Sequence, residues 1–165
     1  MDKQKLILVV CRGNIARSPF AEAIIHKELI NRNLDGEYSV ASRGIQGTSV
    51  DPEPVKFPKF PQYGQLYENS RPTLEKFGVD LVDHVSTTID ADIAESSDLI
   101  IAMDNEVIRG LNALFPNQAN KMHLLTEIAN QDHDIVDPAG VSGAEKQEQI
   151  FDEIGNIILS NFPYC

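Results

Sequence analysis

Apolar residues are arranged along this chain in two patterns, one typical of strands and one typical of helices. Short apolar or β-branched segments predict four strands, at residues 6–10, 38–41, 98–104 and 121–125. Apolar residues at helical spacing predict helices at residues 20–33, 71–77, 88–94, 105–114 and 143–162. Strands that alternate with helices, without repeats, favour one α/β domain over residues 1–165. We expect a doubly wound parallel four-stranded sheet with helices on both faces.

The helix at 20–33 is expected to bury one face, which carries Phe20, Ile24, Ile25, Leu29 and Ile30. Ser18 followed by Pro19 is typical of a helix start, because the hydroxyl can cap free N–H groups and proline is tolerated there. Thr87 or Thr88 is expected to cap the short helix that runs through Ala94 in the same way.

Residues 46–72, which we call the proline-rich segment, interrupt this alternation. Prolines and aromatic residues are interleaved there: Pro52, Pro54, Phe57, Pro58, Phe60, Pro61, Tyr63, Tyr67 and Pro72. Proline lacks a backbone donor, so the segment is predicted to be an extended loop and not a regular helix or central strand. Long ordered loops often serve function, and some of these aromatics are expected to line the mouth of the site described next. The alternative is a mobile loop without contact to that site.

The connection from the first strand to the first helix, residues 11–18, is the strongest candidate for chemistry, and we call it the cradle loop. Backbone N–H groups and the helix dipole converge at such a connection and favour a bound anion. Gly13 and Asn14 are residue types that readily adopt the left-handed backbone angles of a tight loop.

Two side chains of the cradle loop suit phosphoryl chemistry. Arg17 has a planar guanidinium that matches two phosphate oxygens. Cys11 is expected at the bottom of the loop, where the same positive groups favour thiolate over thiol. A thiolate beneath a phosphoryl group is a nucleophile aimed at phosphorus. A buried cysteine and a surface arginine without function are the alternative on residue type alone.

The charge distribution restricts the possible partners. The formal net charge is −11. Residues 1–79 carry 11 Lys and Arg against 9 Asp and Glu, whereas residues 80–165 carry 3 against 16. This acidity argues against nucleic-acid binding and against an anionic membrane surface. An anion site must therefore be locally positive, and the candidates are Arg12, Arg17 and Arg43.

Cysteine usage and the N-terminal sequence bear on the compartment. Two cysteines, with Cys165 as a tail residue, are typical of a reducing environment. The apolar run at 6–10 is too short for an export signal, so a cytoplasmic protein is expected. No His, Cys and carboxylate cluster has ligand spacing, and neither a metal nor another cofactor is expected.

The sequence Cys11-Arg-Gly-Asn-Ile-Ala-Arg17-Ser-Pro, continuing into Ala21-Glu22-Ala23, resembles the phosphate-binding loop of the low-molecular-weight protein tyrosine phosphatases. That family's fold also serves arsenate reductases and protein-arginine phosphatases. The resemblance implies a flavodoxin-like fold, with Cys11 as nucleophile and Arg17 as phosphate clamp. It also implies that the phosphate is bound by Arg12, Gly13, Asn14, Ile15, Ala16 and Ser18, the last of which would steady the thiolate.

The same resemblance assigns a general acid. Asp137, in the pair Asp137-Pro138, matches the family's general acid, which protonates the leaving group and then activates water. From the residues alone, Asp132 or Asp134 would be equally eligible.

Four further residues are implied to support the site without reacting. Glu22, Ser42 and His84 match a hydrogen-bond network around the cradle loop, in which Ser42 braces Asn14. Asp104 matches a Met-Asp pair at the end of the third strand. Asp104 can equally be only the N-cap of the next helix.

Three residues near the predicted site bear on the substrate: Ile15, Ala139 and Gly140. Ile15 resembles the tyrosine-specific members, whereas the arginine-specific ones carry threonine there, so a protein tyrosine phosphatase is the favoured function. Its substrate would be a phosphorylated protein or a small phosphomonoester, and a monomer or weak dimer is expected. Ala139 and Gly140 stand where phosphotyrosine-active members often have aromatics. The alternatives are an arsenate reductase that uses an external thiol, a protein-arginine phosphatase, and a phospho-ligand binding module without turnover.

Overall fold

The computed structural model describes residues 3–162, and Cys165 lies outside this range. Its centre is a parallel sheet with the strand order β2-β1-β3-β4. The strands are β1 (Lys5–Cys11), β2 (Tyr38–Gly44), β3 (Leu99–Ala102) and β4 (Met122–Leu124). The predicted α/β fold with a four-stranded parallel sheet is confirmed.

Five α-helices occur among the described residues: α1 (Arg17–Asn31), α2 (Gln65–Lys76), α3 (Ala91–Ser96), α4 (Asn105–Leu114) and α5 (Ala144–Asn161). Short 3₁₀ turns cover Phe60–Tyr63, Pro116–Lys121, Leu125–Ala129 and Pro138–Gly140. Across residues 3–162, no helix combines the length and the apolar character that crossing a bilayer requires.

The central strand β1 separates two hydrophobic cores, because successive side chains of a strand point to opposite faces. Ile7 and Val9 belong to the larger core, which is built with α1, α2 and α5. Leu8 and Val10 belong to the smaller core, which is built with α3 and α4. Burial on both faces explains why β1 is an unbroken apolar run, and it fixes the position at which Cys11 leaves the sheet.

The prediction of an extended loop throughout the proline-rich segment is wrong for its second half. A 3₁₀ turn begins at Phe60, and α2 runs through Pro72. The Phe60 ring is fully buried and lies edge-on to the Tyr67 ring, with 5.2 Å between centroids. Proline removes only the helical bond to the carbonyl of exposed Glu68, and the tertiary packing of α2 outweighs that loss.

The side-chain caps predicted for α1 and α3 are wrong. α1 has no side-chain cap, and the hydroxyl of Ser18 lies against the sulfur of Cys11 instead. α3 is capped by Asp90, whose carboxylate accepts the N–H of Ile93, and not by the two threonines that precede it. A carboxylate directly before a helix competes well with a hydroxyl farther away for the free N–H groups.

Two smaller predictions also differ from the structure. β2 continues through Ser42 to Gly44, three residues beyond the predicted end of the strand at residue 41. Ile30, expected in the core, is 49% exposed near the end of α1.

Candidate active site

The sulfur of Cys11 lies at the floor of the cradle loop. Cys11 is the last residue of β1 and is 3% exposed. Its sulfur accepts the backbone N–H of Asn14 at 3.2 Å and lies 3.0 Å from Oγ of Ser18. The Ser18 oxygen accepts an N–H of the Asn14 side chain, which leaves the hydroxyl hydrogen free to point at the sulfur. The loop can therefore stabilise negative charge on this sulfur.

Asn14 holds the cradle loop in shape. Its backbone adopts the left-handed region with φ +56°, and its side chain is fully buried. Its amide nitrogen donates to Oγ of Ser18 and Oγ of Ser42, both at 2.9 Å, while its amide oxygen accepts the N–H of Thr87 at 2.9 Å. One side chain therefore joins the loop to β2 and to the segment before α3.

Side chains from the loop before α3, from β2 and from α1 extend the hydrogen-bond network of Asn14. His84 donates from Nε2 to the carbonyl of Asn14 at 2.9 Å, which requires the hydrogen to be on Nε2. The Ser42 hydroxyl donates to the carboxylate of Glu22 at 3.3 Å. Burial raises the pKa of Glu22 above its ordinary range, and His84, Ser42 and Arg43 limit that rise. None of these groups is among the residues that line the cleft above Cys11.

Gly44 permits β2 to lie directly against the cradle loop. A Cβ atom at Gly44 would lie 2.8 Å from the carbonyl oxygen of Arg12 and 3.0 Å from the nitrogen of Asn14. These neighbours are backbone atoms that cannot turn aside. Glycine is required here because of the close approach and not because of its backbone angles.

Arg17 is 3% exposed and is positioned by two strong contacts. It donates from Nη1 to the carboxylate of Asp104 at 2.8 Å and to the carbonyl of Ile135 at 2.6 Å. Burial alone would lower the pKa of Arg17. The negative charges of Cys11, Asp137 and Asp104 outweigh this effect, so the pKa is raised overall and the guanidinium stays charged. Asp104 also accepts the N–H of Val107 at 2.9 Å, so it is an N-cap of α4 and a partner of Arg17 at once.

Asp137 is placed differently from the two other eligible carboxylates. It caps the 3₁₀ turn at 138–140 by accepting the N–H of Ala139, and its second oxygen lies 3.8 Å from Nη2 of Arg17. The side chain is 45% exposed and lines the same cleft as Cys11. Asp134 instead accepts two N–H groups of Asn105, and Asp132 does not line this cleft.

The cleft above Cys11 has a volume of about 270 Å³. The cradle loop forms its floor, with Arg12, Gly13, Ile15, Ala16 and Arg17 among the lining residues. The proline-rich segment forms a side wall that includes Glu53, Lys56 and Tyr63. Of the aromatics expected at the mouth, Tyr63 lines the cleft, whereas Phe60 and Tyr67 pack in the larger core.

The positive charge of the cleft is arranged differently from the expectation. Arg12 donates from Nε to Asp51 at 2.8 Å, and this hydrogen bond raises the pKa of Arg12. Arg43 does not line the cleft and donates to the carbonyl of Ser42, so its prediction as a cleft cation is wrong. Arg17 is therefore the buried cation at the floor, and Arg12 ties the cradle loop to the proline-rich segment.

Several contributors to the site carry no clear sequence signal. The hydroxyl of Ser86 donates to the carbonyl of Gly13 at 2.7 Å, and Thr87 and Ile135 act through backbone atoms. Backbone groups are present at every residue. In the sequence, only the polar residues Ser86 and Thr87 indicate this part of the site. Within residues 3–162, no three His, Cys, Asp or Glu side chains converge as metal ligands.

Comparisons with known proteins find similar sequences and structures over most of the chain. The family model for low molecular weight phosphotyrosine protein phosphatase matches residues 6–160. The low molecular weight protein-tyrosine-phosphatase PtpA of Staphylococcus haemolyticus is 29% identical over 133 residues, which are 80% of this chain and 77% of PtpA.

Solved structures extend the likeness over more of the chain. The tyrosine phosphatase AmsI of Erwinia amylovora is 28% identical with a TM-score of 0.68, over 94% of this chain and 89% of AmsI. The YwlE arginine phosphatase of Geobacillus stearothermophilus, at 24% identity and a TM-score of 0.71, shares the fold over 93% of this chain and 87% of its own. With the family model matched over nearly its whole length, the chain belongs to the low molecular weight phosphotyrosine protein phosphatase family.

Proposed function

We propose that this phosphatase hydrolyses phosphotyrosine in proteins through a cysteinyl-phosphate intermediate formed on Cys11. The observation that supports this most strongly is the shared cleft of Cys11, Arg17 and Asp137. A nucleophile at the floor, a buried cation beside it and a half-exposed carboxyl group at the rim match the three tasks of phosphoryl transfer.

The first step transfers the phosphoryl group to sulfur. The Cys11 thiolate attacks phosphorus in line, so the S–P bond forms as the P–O bond to the tyrosine breaks. Arg17 and the N–H groups of the cradle loop hold the three equatorial oxygens. Asp137 gives its proton to the leaving phenolic oxygen, which departs as a neutral hydroxyl.

The second step returns the enzyme to its starting state. The Asp137 carboxylate takes a proton from a water molecule, whose oxygen attacks phosphorus as the S–P bond breaks. Inorganic phosphate leaves, and the sulfur regains its negative charge. The N–H of Asn14 and the hydroxyl of Ser18 stabilise that charge, since both lie within 3.2 Å of the sulfur.

The cleft wall supports an aromatic substrate. The Tyr63 hydroxyl donates to the carbonyl of Phe57 at 2.9 Å and accepts its N–H at 3.2 Å, and the two rings lie edge-on at 5.6 Å. These contacts fix the Tyr63 ring, and Leu66 and Ile15 line the same cleft. We assign Tyr63 as the wall that contacts the substrate ring, because no other described residue that lines the cleft is aromatic.

The test compares Tyr63→Ala with wild-type protein on three substrates: a phosphotyrosine peptide, a phosphoarginine peptide and arsenate with an external thiol. We expect phosphotyrosine to be the preferred substrate, and KM for it to rise about threefold to tenfold in Tyr63→Ala, as the loss of one aromatic contact implies. Tyr63→Phe, which keeps the ring, is the matched control. Faster turnover of phosphoarginine or arsenate than of phosphotyrosine would overturn the proposed substrate.

A further inference from the structure

A second depression, which we call the side groove, lies beside the cleft and has a volume of about 720 Å³. One side is formed by residues of the loop after β2, including Ile45, Val50 and Pro52, and the other by α4. Arg12 lines both the cleft and the side groove, so the two are neighbours across one side chain. A chain that leaves the cleft on this side would enter the groove.

Apolar side chains form part of the side groove. Among them, Val50 is 39% exposed. A Cβ atom at Gly110 would lie 3.2 Å from Ile45 and 3.3 Å from Val50, so the loop and α4 meet closely at this point. Ala113 continues the strip of small side chains along α4.

The two arginines of the groove differ in whether they have an ion-pair partner. Arg12 is paired with Asp51, whose carboxylate faces the same space. Arg109 is exposed on α4, and its guanidinium forms no hydrogen bond or ion pair with the other described residues, Glu106 included. It is one of only 3 Lys and Arg among residues 80–165, which also hold 16 Asp and Glu. Because Arg12 is paired with Asp51, Arg109 is the arginine of the groove that is free to bind a carboxylate of another chain at short range.

We propose that the side groove binds the polypeptide that flanks the phosphorylated residue, with an acidic side chain of the substrate at Arg109 and an apolar one on Val50. This inference rests on the proposed function, because it assumes that the cleft holds a phosphorylated residue of a protein. A small phosphomonoester fills only the cleft. The groove would therefore distinguish protein substrates from small ones and acidic sequences from neutral ones.

The test compares three probes: para-nitrophenyl phosphate, a phosphotyrosine peptide with glutamate on both sides, and the same peptide with glutamine in those places. Arg109→Glu is expected to lower kcat/KM for the glutamate peptide about fivefold at low salt, the size of one exposed ion pair. Turnover of the other two probes should stay unchanged. The matched control is Lys3→Glu, an identical charge change before β1 at the opposite end of the sheet.

A second variant tests the groove by shape. Ala113→Trp places a large ring in the groove from an exposed position of α4, and we expect it to lower kcat/KM for both peptides but not for para-nitrophenyl phosphate. Equal effects of Arg109→Glu and Lys3→Glu, or peptide turnover unaffected by either groove variant, would overturn the groove proposal alone. A wild-type enzyme without activity on either peptide would overturn the proposed function as well.

Discussion

Asn14 shows how much of the cradle loop depends on a single residue. Its left-handed backbone turns the chain within the cradle loop. Its side chain forms hydrogen bonds with Ser18, Ser42 and the N–H of Thr87. Asparagine suits both tasks, because it tolerates positive φ and offers two donors and an acceptor on one short side chain.

Replacing Asn14 by alanine should therefore damage both stability and catalysis. Asn14→Ala leaves the buried Ser42 and Thr87 groups without their partner, which costs about 1–3 kcal/mol of unfolding free energy. We expect kcat/KM to fall as well, since the loop loses its shape. Urea unfolding and peptide kinetics measure the two effects.

Asn33 offers a matched control for this substitution. It has the same φ of +56° but is exposed after α1, so Asn33→Ala should cost only the backbone preference and leave kcat/KM unchanged. Similar losses of activity in both variants would mean that backbone strain, and not the hydrogen bonds of Asn14, controls the loop.

The sequence indicates the residues that we propose to react more clearly than the residues that hold them. Cys11 and Arg17 stand in a pattern in which strand, glycine, asparagine and helix start all point to one geometry. The carbonyl of Ile135, which accepts from Arg17 at 2.6 Å, could not be predicted, because every residue has a carbonyl and only the fold selects this one. Asp137 needed the family resemblance, since Asp132 and Asp134 have equal chemistry.

Among the elements, strand β2 ends directly against the cradle loop. It pairs with β1 in parallel along its whole length, and its last residue, Gly44, lies opposite Cys11. The carbonyl of Cys11 also accepts the N–H of Ile45, so the two strand ends stay together where the cradle loop begins.

Gly44→Ala should displace the cradle loop without unfolding the sheet. The new methyl group would lie 2.8 Å from the Arg12 carbonyl oxygen, a distance that the backbone must relieve by moving. We expect kcat/KM to fall at least tenfold, because catalytic donors tolerate little misplacement. Gly36→Ala, where no atom lies within 4 Å of the added Cβ, should keep full activity. An active Gly44→Ala enzyme would show that the loop adapts freely to β2.

Helix α2 shows the limit of reading elements from local sequence. Pro72 argues against a helix through this region, yet α2 continues through it because Thr73 and Leu74 are buried against the larger core. Such packing involves α5, which is distant in sequence, so no local pattern reports it. The strands and the last helix were predictable because their apolar pattern is local and strong.

The cysteine content of the whole molecule determines how the site responds to oxidation. Cys11 is the free cysteine of the described residues, and the cradle loop holds no second cysteine. A sulfenic acid on Cys11 therefore has no thiol neighbour among residues 3–162 with which to form a protective disulfide.

Peroxide should therefore inactivate the enzyme with poor recovery on later thiol treatment, because the sulfenic acid oxidises further to sulfinic acid. Bound phosphate should slow this loss by covering the sulfur. Residual activity and the mass of the Cys11 peptide are the measurements. Full recovery would contradict the prediction, and the same experiment on Cys165→Ser would show whether the tail cysteine supplies the missing thiol.

In the proposed mechanism, Cys11 carries the phosphoryl group between two steps in which Asp137 first gives and then takes a proton. The most direct measurement is rapid quenching of Asp137→Asn and wild-type protein during turnover of para-nitrophenyl phosphate, followed by mass analysis of the Cys11 peptide. We expect slow nitrophenol release and a phosphorylated Cys11 peptide in Asp137→Asn, and no continued nitrophenol release in Cys11→Ser. Turnover that persists in Cys11→Ser at the wild-type rate would contradict this mechanism.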